Sequence, residues 1–201
     1  MSSYNHTTLT SAELEEMLSH HLDAAEINRV ICAYELAESV HENQFRGDGS
    51  PYFYHCTRVC RILAYELGVT DADVLSAALL HDVLEDSETL TQEVIEYNFG
   101  RYVAYLVDVL TKDLARRAYE PEVVDREHIE LLKNSSSDCL LIKLAARLDN
   151  FRCLEFNLKR NPHQYIYETE TQYLPIVEQS SNNSFNKLTA ELLKERNKFL
   201  G

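Results

Sequence analysis

Glycine, proline and tryptophan are scarce in this 201-residue sequence, which has five glycines, four prolines and no tryptophan. Glycine and proline are the residues that most often interrupt regular structure, so their scarcity favours many helices joined by short connections. The sequence has no convincing strand pattern, and no apolar run in it is long enough to cross a membrane. The expected fold class is therefore all-α.

Basic residues are also in short supply, with 19 lysines and arginines against 33 acidic residues and a net charge of −14. This balance speaks against a nucleic-acid-binding surface, which needs a basic stripe. A small anionic ligand would have to be bound by local cations, against the field of the whole chain. We expect neither a nucleic-acid partner nor a membrane partner.

The first ten residues have neither the basic start nor the apolar stretch of a secretion signal. Five cysteines, an odd number, fit free thiols in a reducing compartment. We therefore expect a cytoplasmic protein.

Apolar residues that recur every three or four positions predict about ten helices within one domain spanning residues 1–201. Thr10 and Glu13 have the spacing of a capping box, and Pro121 suits the first turn of a later helix. Turn-forming and polar residues predict loops at 44–52 and 113–122. The expected helices are 10–22, 25–42, 53–67, from 71 or 73 to 86, from 87 or 91 to 100, 103–110, 121–132, 139–158, 163–179 and 185–199.

The stretch 77–86 carries a His-Asp pair inside an otherwise apolar run. Such a segment is expected to be a helix buried on nearly all sides, where charged side chains are rare unless they are paired or bound to metal. On one continuous helix, His81 and Glu85 would share a face, as would Asp82 and Asp86. The alternative is a core helix whose polar groups are satisfied by the backbone and an arginine.

A second histidine, His55, is predicted on the first turn of the preceding helix. Two neutral imidazoles and a carboxylate suit a divalent transition metal such as manganese, iron or zinc. An octahedral ion would need one more carboxylate, with positions left for water and substrate. The residues therefore predict a metal site at His55, His81 and Asp82 that requires a fourth ligand.

The order of these residues resembles the HD superfamily of metal-dependent phosphohydrolases, and more narrowly the RelA/SpoT hydrolase domain and the stand-alone small alarmone hydrolases. A His-Asp pair alone is a weak signal, but the Glu-Asp pair after it and the arginine loop and Lys-Leu-Ala segment in register make a strong one. The matching segments are 33–37, 44–46, 49–52, 55, 77–86, 99–100, 109–112, 142–145, 147–148, 150, 168–169, 173 and 175.

The resemblance implies an HD-domain helical bundle that removes the 3′-pyrophosphate of guanosine tetra- or pentaphosphate with manganese as cofactor. It implies that His55, His81 and Asp82 bind the metal. It also implies that Glu85 and Asp86 handle the attacking water and its proton.

Further residues are implied for the substrate. Arg46 matches the residue that stacks on guanine, and Asn150 matches a contact near the ribose. Lys143, Arg147 and Arg152 are the nearest candidates for neutralising phosphate. The alternatives are that Arg46 is a solvated loop residue and that Asn150 and these three are ordinary polar groups of a helix.

The sequence departs from the family at Gly47 and Asp48, where a lysine and a small polar residue are usual. The lost positive charge leaves adenine alarmones or another nucleotide phosphate open as substrates.

The larger departure is Ala146, which occupies the position of the fourth metal ligand, an aspartate in the family. An alanine side chain cannot coordinate metal. Either the aspartate was replaced deliberately, or the chain is a natural protein that binds without cleaving, or Asp149 supplies the carboxylate from one turn along the helix. Losing a direct ligand should weaken metal binding and slow the chemistry.

Three functions therefore compete. The first is an alarmone hydrolase that is inactivated at Ala146. The second is a non-catalytic, antitoxin-like or regulatory binding module, and the third is an HD phosphohydrolase acting on another phosphate. The sequence leaves metal identity and oligomeric state undetermined.

Overall fold

A computed structural model describes residues 3–157, 160–178 and 180–199. Over these residues the protein is all-α, as predicted, and has no strand beyond an isolated bridge between Phe45 and Pro51. The helices are α1 Ser11–Leu18, α2 Ala24–Val40, α3 Phe53–Arg61, α4 Ala72–Leu80, α5 Val83–Asp86, α6 Gln92–Phe99, α7 Arg101–Leu110, α8 Leu114–Arg117, α9 Pro121–Lys133, α10 Ser137–Arg152, α11 Pro162–Glu168, α12 Leu174–Val177 and α13 Asn183–Arg196.

Most helix starts follow the capping signals in the sequence. The Thr10 side chain accepts from Glu13 N, and the Glu13 carboxylate accepts from Thr10 N, so the predicted capping box is confirmed. Pro121 is the first residue of α9, also as predicted. Since α5, α8 and α12 are single turns of four residues, the expected bundle of about ten helices is confirmed.

Several predicted helix ends are wrong. The first helix ends at Leu18 rather than residue 22, and α10 ends at Arg152 rather than residue 158, which lies outside the described residues. The expected loop 113–122 contains the short helix α8. The predicted helix 163–179, whose last residue is also outside the described part, is divided by a π-helical turn, Thr169–Tyr173. Such interruptions depend on tertiary packing and leave no reliable local signal.

The predicted central helix is buried as expected, but it does not run unbroken to residue 86. Asp71 caps α4, which ends at Leu80, and the chain turns at His81 and Asp82 before α5 begins. The expected unbroken helix to residue 86 is therefore wrong, although His81 Nε2 and Asp82 Oδ2 lie 3.2 Å apart and His81 and Glu85 line the same cavity.

The helix α4 lies at the centre of the bundle and packs against α2, α3 and α7, while α10 crosses α3, α4, α7 and α13. The buried side chains form one core that includes Leu9 near one end of the chain and Leu192 near the other. This continuity supports the prediction of a single domain. It also means that α4, which leads into His81 and Asp82, and α10, which carries Lys143, Arg147 and Asn150, are held by the core itself.

Replacing Leu79 by alanine is expected to lower the free energy of unfolding by about 2–5 kcal/mol, because the side chain is fully buried on α4 and its removal leaves a cavity. Urea denaturation would measure the loss. The same change at Leu131 is the control, since that side chain is 47% exposed and should cost no more than about 0.5 kcal/mol. Equal losses at the two positions would contradict the central place of α4.

Candidate metal centre and cavity

Three side chains converge beside a cavity. His55 is on the first turn of α3, and His81 and Asp82 lie in the break between α4 and α5. One potential ligand atom from each lies within 4.8 Å of the other two. His81 Nε2 lies 3.2 Å from Asp82 Oδ2, and His55 Nε2 lies 3.9 Å from the same atom. The structure therefore brings together the three residues that the sequence predicted for metal.

The hydrogen bonds of the two imidazoles leave the right atoms free for metal. His55 Nδ1 lies 2.6 Å from Asp149 Oδ2, and His81 Nδ1 lies 2.8 Å from the carbonyl oxygen of Ala78. Carboxylates and carbonyls only accept, so each Nδ1 carries the proton and each Nε2 offers a lone pair. Two such nitrogens and the Asp82 carboxylate fit a divalent transition metal.

The charges around the three ligands act in different directions. Burial would lower the pKa of His81, but the neighbouring Asp82 outweighs burial and raises it. Burial would raise the pKa of Asp82, but His81, His55 and the Tyr52 hydroxyl outweigh burial and hold the pKa well below its usual value. Tyr52 donates to Asp82 Oδ2 over 2.7 Å, which fixes the carboxylate. Burial lowers the pKa of His55 to about 4, so this imidazole is neutral at pH 7.

The cavity beside these residues has a volume of about 610 Å³, within the usual range for small-molecule sites. Its wall is rich in basic side chains although the chain as a whole carries a net charge of −14. The cations that line it are Arg46, Lys112, Arg117, Lys143, Arg147 and Arg160. A local basic surface in an acidic protein favours an anionic ligand, as predicted for a phosphate compound.

Lys143 is the lysine that the sequence predicted for phosphate, and it lines the cavity. Burial, followed by the neighbouring Lys112, lowers its pKa to about 8. Lys112 is itself paired with Asp125, which also pairs with Arg117. A partly desolvated ammonium such as Lys143 gains most from a phosphate, because the phosphate supplies the missing opposite charge.

The two predicted catalytic acids occupy different environments. Glu85 lines the cavity, and its Oε1 accepts from the Lys112 backbone N–H over 2.7 Å. Burial and the nearby Asp82 raise the pKa of Glu85. Asp86 is exposed, lies 3.5 Å from His41 Nδ1 and does not belong to the cavity wall.

The predicted arginine loop, residues 44–52, is closed by a backbone hydrogen bond. Arg46 N–H donates to Ser50 O over 2.8 Å, and Gly49 has the positive φ of +83° that favours glycine. The Arg46 guanidinium donates to Asn150 Oδ1 and contacts Asp149 Oδ2 at 3.4 Å. Arg46 is therefore no solvated loop residue, since its side chain is only 8% exposed.

Gly47 and Asp48, the two residues after Arg46, differ in their position relative to the cavity. Gly47 lines the cavity, whereas Asp48 does not. The Asp48 carboxylate instead accepts from Ser50 N over 2.8 Å and from Asn5 Nδ2 over 3.0 Å, within the loop and the first residues of the chain. The structure therefore does not support the expected contact of Asp48 with substrate.

Arg147 is clamped between two aromatic rings. Its guanidinium carbon lies 4.2 Å from the ring centroid of Tyr165 and 3.9 Å from that of Tyr173. It also donates to Thr169 Oγ1 over 2.8 Å and to Glu168 Oε1 over 3.1 Å. These contacts hold α10 against residues 165–173, so Arg147 has a structural part in the cavity wall. They give no specific support to Arg147 as a phosphate ligand.

Ala146 lines the same cavity as the three metal-binding candidates and is 6% exposed. The other predicted source of a carboxylate, Asp149, is fully buried, and its oxygens are bonded to His55 Nδ1 and Arg58. Asp149 thus meets His55 at the nitrogen that does not face Asp82. This placement does not support Asp149 as a replacement for the missing ligand.

Comparison with known families now decides the assignment. The sequence model of the HD domain matches residues 33–179, which include every residue of the site described above. The chain belongs to the HD-domain family.

Curated relatives in the HD-domain family include the mouse and human guanosine-3′,5′-bis(diphosphate) 3′-pyrophosphohydrolases MESH1. Each is 34% identical over 178 residues, or 86% of this chain and 97% of the relative. A bacterial enzyme of the same name, from Aquifex aeolicus, is 38% identical over 167 residues but much longer, so that the match covers only 23% of it.

A solved structure of the HD-domain family has the same fold. It is described as a metazoan orthologue of SpoT that hydrolyses ppGpp, and it matches with a TM-score of 0.72 and 31% identity. The match covers 87% of this chain and 97% of the other. A protein from Listeria monocytogenes matches with a TM-score of 0.57, 25% identity and 74% coverage of this chain.

Sequence reasoning missed several residues of this HD-domain site. Tyr52 was placed in a matching segment but not recognised as the hydrogen-bond donor to Asp82. Arg58, which bonds Asp149, and Arg160, which lines the cavity, were not singled out. The surplus of basic residues on one wall had no local signal, because these cations come from five separate segments of the chain.

Proposed function

We propose that this chain is an alarmone hydrolase of the HD-domain family, one that removes the 3′-pyrophosphate of guanosine tetra- or pentaphosphate to give GDP or GTP. The observation that carries the proposal is the placement of the His55, His81 and Asp82 ligand atoms at one wall of a basic cavity. The names of the relatives support the same reaction.

Different residues of the chain would bind the metal, accept the proton and neutralise the phosphates. His55, His81 and Asp82 would hold a divalent ion, for which we propose manganese, and this ion would supply an activated water and polarise phosphate oxygens. Glu85, which lines the cavity and has a raised pKa, accepts a proton from the attacking water. As the bond between phosphorus and the ribose 3′ oxygen breaks, that oxygen takes a proton from Glu85 or from water and becomes the 3′ hydroxyl of the product. Lys143 balances charge on the phosphates. Asp86 takes no step in this proposal, because it lies outside the cavity wall and contacts His41 instead.

On the nucleoside side, we assign the base to Arg46 and the ribose to Asn150, which are hydrogen bonded to each other. Gly47 leaves room beside Arg46 at the cavity edge. A planar guanidinium is suited to stacking on a purine, and its pairing with Asn150 already places it at the cavity wall.

A second candidate function rests on Ala146. With three ligands instead of four, the chain would bind nucleotide and metal more weakly and turn over slowly, as a regulatory or antitoxin-like binding module would. A third candidate, hydrolysis of another nucleotide phosphate, rests on Gly47 and Asp48, where the family's usual positive charge is absent.

The deciding experiment incubates the chain with manganese and guanosine tetraphosphate and follows pyrophosphate and GDP. Release of both products, lost on adding a chelator, supports the hydrolase. Tight nucleotide binding without products supports the binding module. Adenine alarmones, followed by pyrophosphate release, and nicotinamide dinucleotide phosphate, followed by release of inorganic phosphate, test the third candidate. Preference for either would overturn the assignment of guanosine tetraphosphate.

Replacing Arg46 by alanine is expected to weaken binding of guanosine tetraphosphate by about 10-fold, the loss of roughly 1.4 kcal/mol of stacking and cation–π contact. Isothermal titration calorimetry would measure the change. Arg101, an exposed arginine on α7, is the matched control, and its replacement by alanine should leave the affinity unchanged. Unchanged affinity in the Arg46 variant would show that this side chain stays on Asn150 and does not reach the base.

The remaining expectations concern the setting of the protein. No helix among the described residues is long and apolar enough to span a bilayer. All five cysteines lie in the described part of the chain and are free there, in keeping with the reducing, cytoplasmic setting that we propose. The ligand class that the cavity favours is a small nucleotide phosphate. The single domain and the absence of nucleic-acid and membrane partners remain predictions.

A further inference from the structure

Asp149 is the centre of a buried cluster, and the proposed reaction gives its carboxylate no part. Its side chain is fully buried, and an isolated buried carboxylate would be strongly unfavourable. Arg58 offsets that cost by donating from Nε to Asp149 Oδ1 over 2.6 Å and from Nη2 to Oδ2 over 3.2 Å. The Tyr4 hydroxyl donates to Oδ1 over 3.1 Å, and Arg46 contacts Oδ2 at 3.4 Å.

The shortest contact of Asp149 outside the arginine pair is to a candidate metal ligand. Oδ2 lies 2.6 Å from His55 Nδ1, while His55 Nε2 faces Asp82 on the other side of the ring. A carboxylate in that position keeps the proton on Nδ1, orients the ring and makes Nε2 a better electron donor. One imidazole thus connects Asp149 with the metal-binding atoms.

Arg58 holds the carboxylate in place from behind. Its side chain is 1% exposed, and Nη1 donates to the carbonyl oxygens of Asn5 and Thr7 over 3.0 and 3.1 Å. Because Arg58 lies on α3, one turn after His55, the same helix carries the ligand and the cation that fixes the ligand's partner. The backbone of Asn5 and Thr7 thus holds Arg58 in position beside Asp149.

We propose that Asp149 is a positioning residue that fixes the tautomer and orientation of His55, so that Nε2 is presented to the metal. The proposal rests on the metal site of the proposed function but not on hydrolysis. It gives Asp149 a part in metal binding without direct coordination.

The test separates this role from simple burial of charge. Replacing Asp149 alone would strand the Arg58 charge in the core and risks unfolding. The double variant Asp149→Leu with Arg58→Met removes both charges and the acceptor of His55 Nδ1 while keeping side chains of similar size. Tyr4→Phe is the matched control, because it removes one donor to the same carboxylate and leaves the contact with His55 intact.

The first readout is the ring tautomer in the metal-free, ¹⁵N-histidine-labelled protein, measured by long-range ¹H–¹⁵N correlation and assigned by the signal that His55→Gln removes. In the unaltered chain we expect the Nδ1–H tautomer at His55, and in the double variant a mixture of both tautomers. This measurement needs no metal, so it remains decisive even if the chain proves not to be a hydrolase. An Nε2–H tautomer in the unaltered chain would overturn the proposal.

The second readout is the affinity for manganese, followed by the electron paramagnetic resonance signal of the free ion. The double variant should bind about 10–100-fold more weakly, the usual effect of losing a partner of a metal-binding histidine. The Tyr4→Phe control should stay within about twofold of the unaltered chain. Unchanged affinity and tautomer in the double variant would reduce Asp149 to a buried partner of Arg58. Lost binding with an unchanged tautomer would mean direct coordination, and it would overturn the proposal as well.

Discussion

Replacing Ala146 by aspartate is expected to raise the rate of pyrophosphate release from guanosine tetraphosphate by about 100-fold or more. Ala146 lines the same cavity as His55, His81 and Asp82, and it holds the position of the family's fourth ligand, so we expect a carboxylate there to reach the same ion. A fourth, negatively charged ligand strengthens binding of a divalent cation and holds it in one place, and both effects favour the chemical step. The measurement is steady-state release of pyrophosphate at saturating manganese.

Replacing Ala146 by asparagine is the matched control, because the amide has the size of a carboxylate without its charge. Its gain should be less than about 10-fold if charge on the ligand is what matters. A second readout is thermal stability. The aspartate variant gathers negative charge near Asp82 in the metal-free protein, so manganese should raise its melting temperature more than that of the unaltered chain. No gain in either readout would favour the natural binding module.

Replacing Asp82 by asparagine is expected to lower manganese affinity by more than about 100-fold, because it removes the one anionic ligand of a three-ligand site. Asparagine keeps the shape of the side chain and an oxygen that can accept from Tyr52, so the fold should persist. Circular dichroism of the metal-free variant would verify this, and calorimetric titration with manganese would measure the affinity.

The control for this change is Asp108→Asn, which removes an acid from the exposed face of α7 and should leave manganese affinity unchanged. The pKa of Asp82 adds a pH prediction for the metal-free protein. Because folding lowers this pKa, Asp82 stabilises the fold above the pKa it has in the unfolded chain, and that contribution is lost as the pH falls. The asparagine variant should lose this part of the acid sensitivity. Similar metal affinity in the variant and the unaltered chain would rule out Asp82 as a ligand.

Much of the candidate site could be predicted from the sequence because its residues violate local expectations. A histidine and an aspartate in the middle of an apolar segment need a buried partner or an ion. His81 and Asp82 were found in this way, and their place beside His55 is what the structure shows. The Thr10 capping box and the Pro121 start were equally local, and both are confirmed.

Other features were not predictable because they depend on where distant segments meet. The break after Leu80 is invisible in an apolar pattern that continues through Leu84, yet it is what directs His81 and Asp82 to one point. The clamp of Arg147 between Tyr165 and Tyr173 joins parts of the chain that local spacing does not relate.

The sequence by itself determined an all-helical fold, an acidic chain and three residues suited to hold a divalent ion. These features are local, because apolar periodicity and polar residues inside apolar segments can be recognised from neighbouring positions. Only the tertiary structure decided the part of Asp149. From its position on the helix it was a possible fourth ligand, but the packing of α3 against α10 brings it to the other nitrogen of His55 and to Arg58. A carboxylate acts on whichever donors the fold brings within hydrogen-bonding distance, and these donors come from residues about ninety positions away.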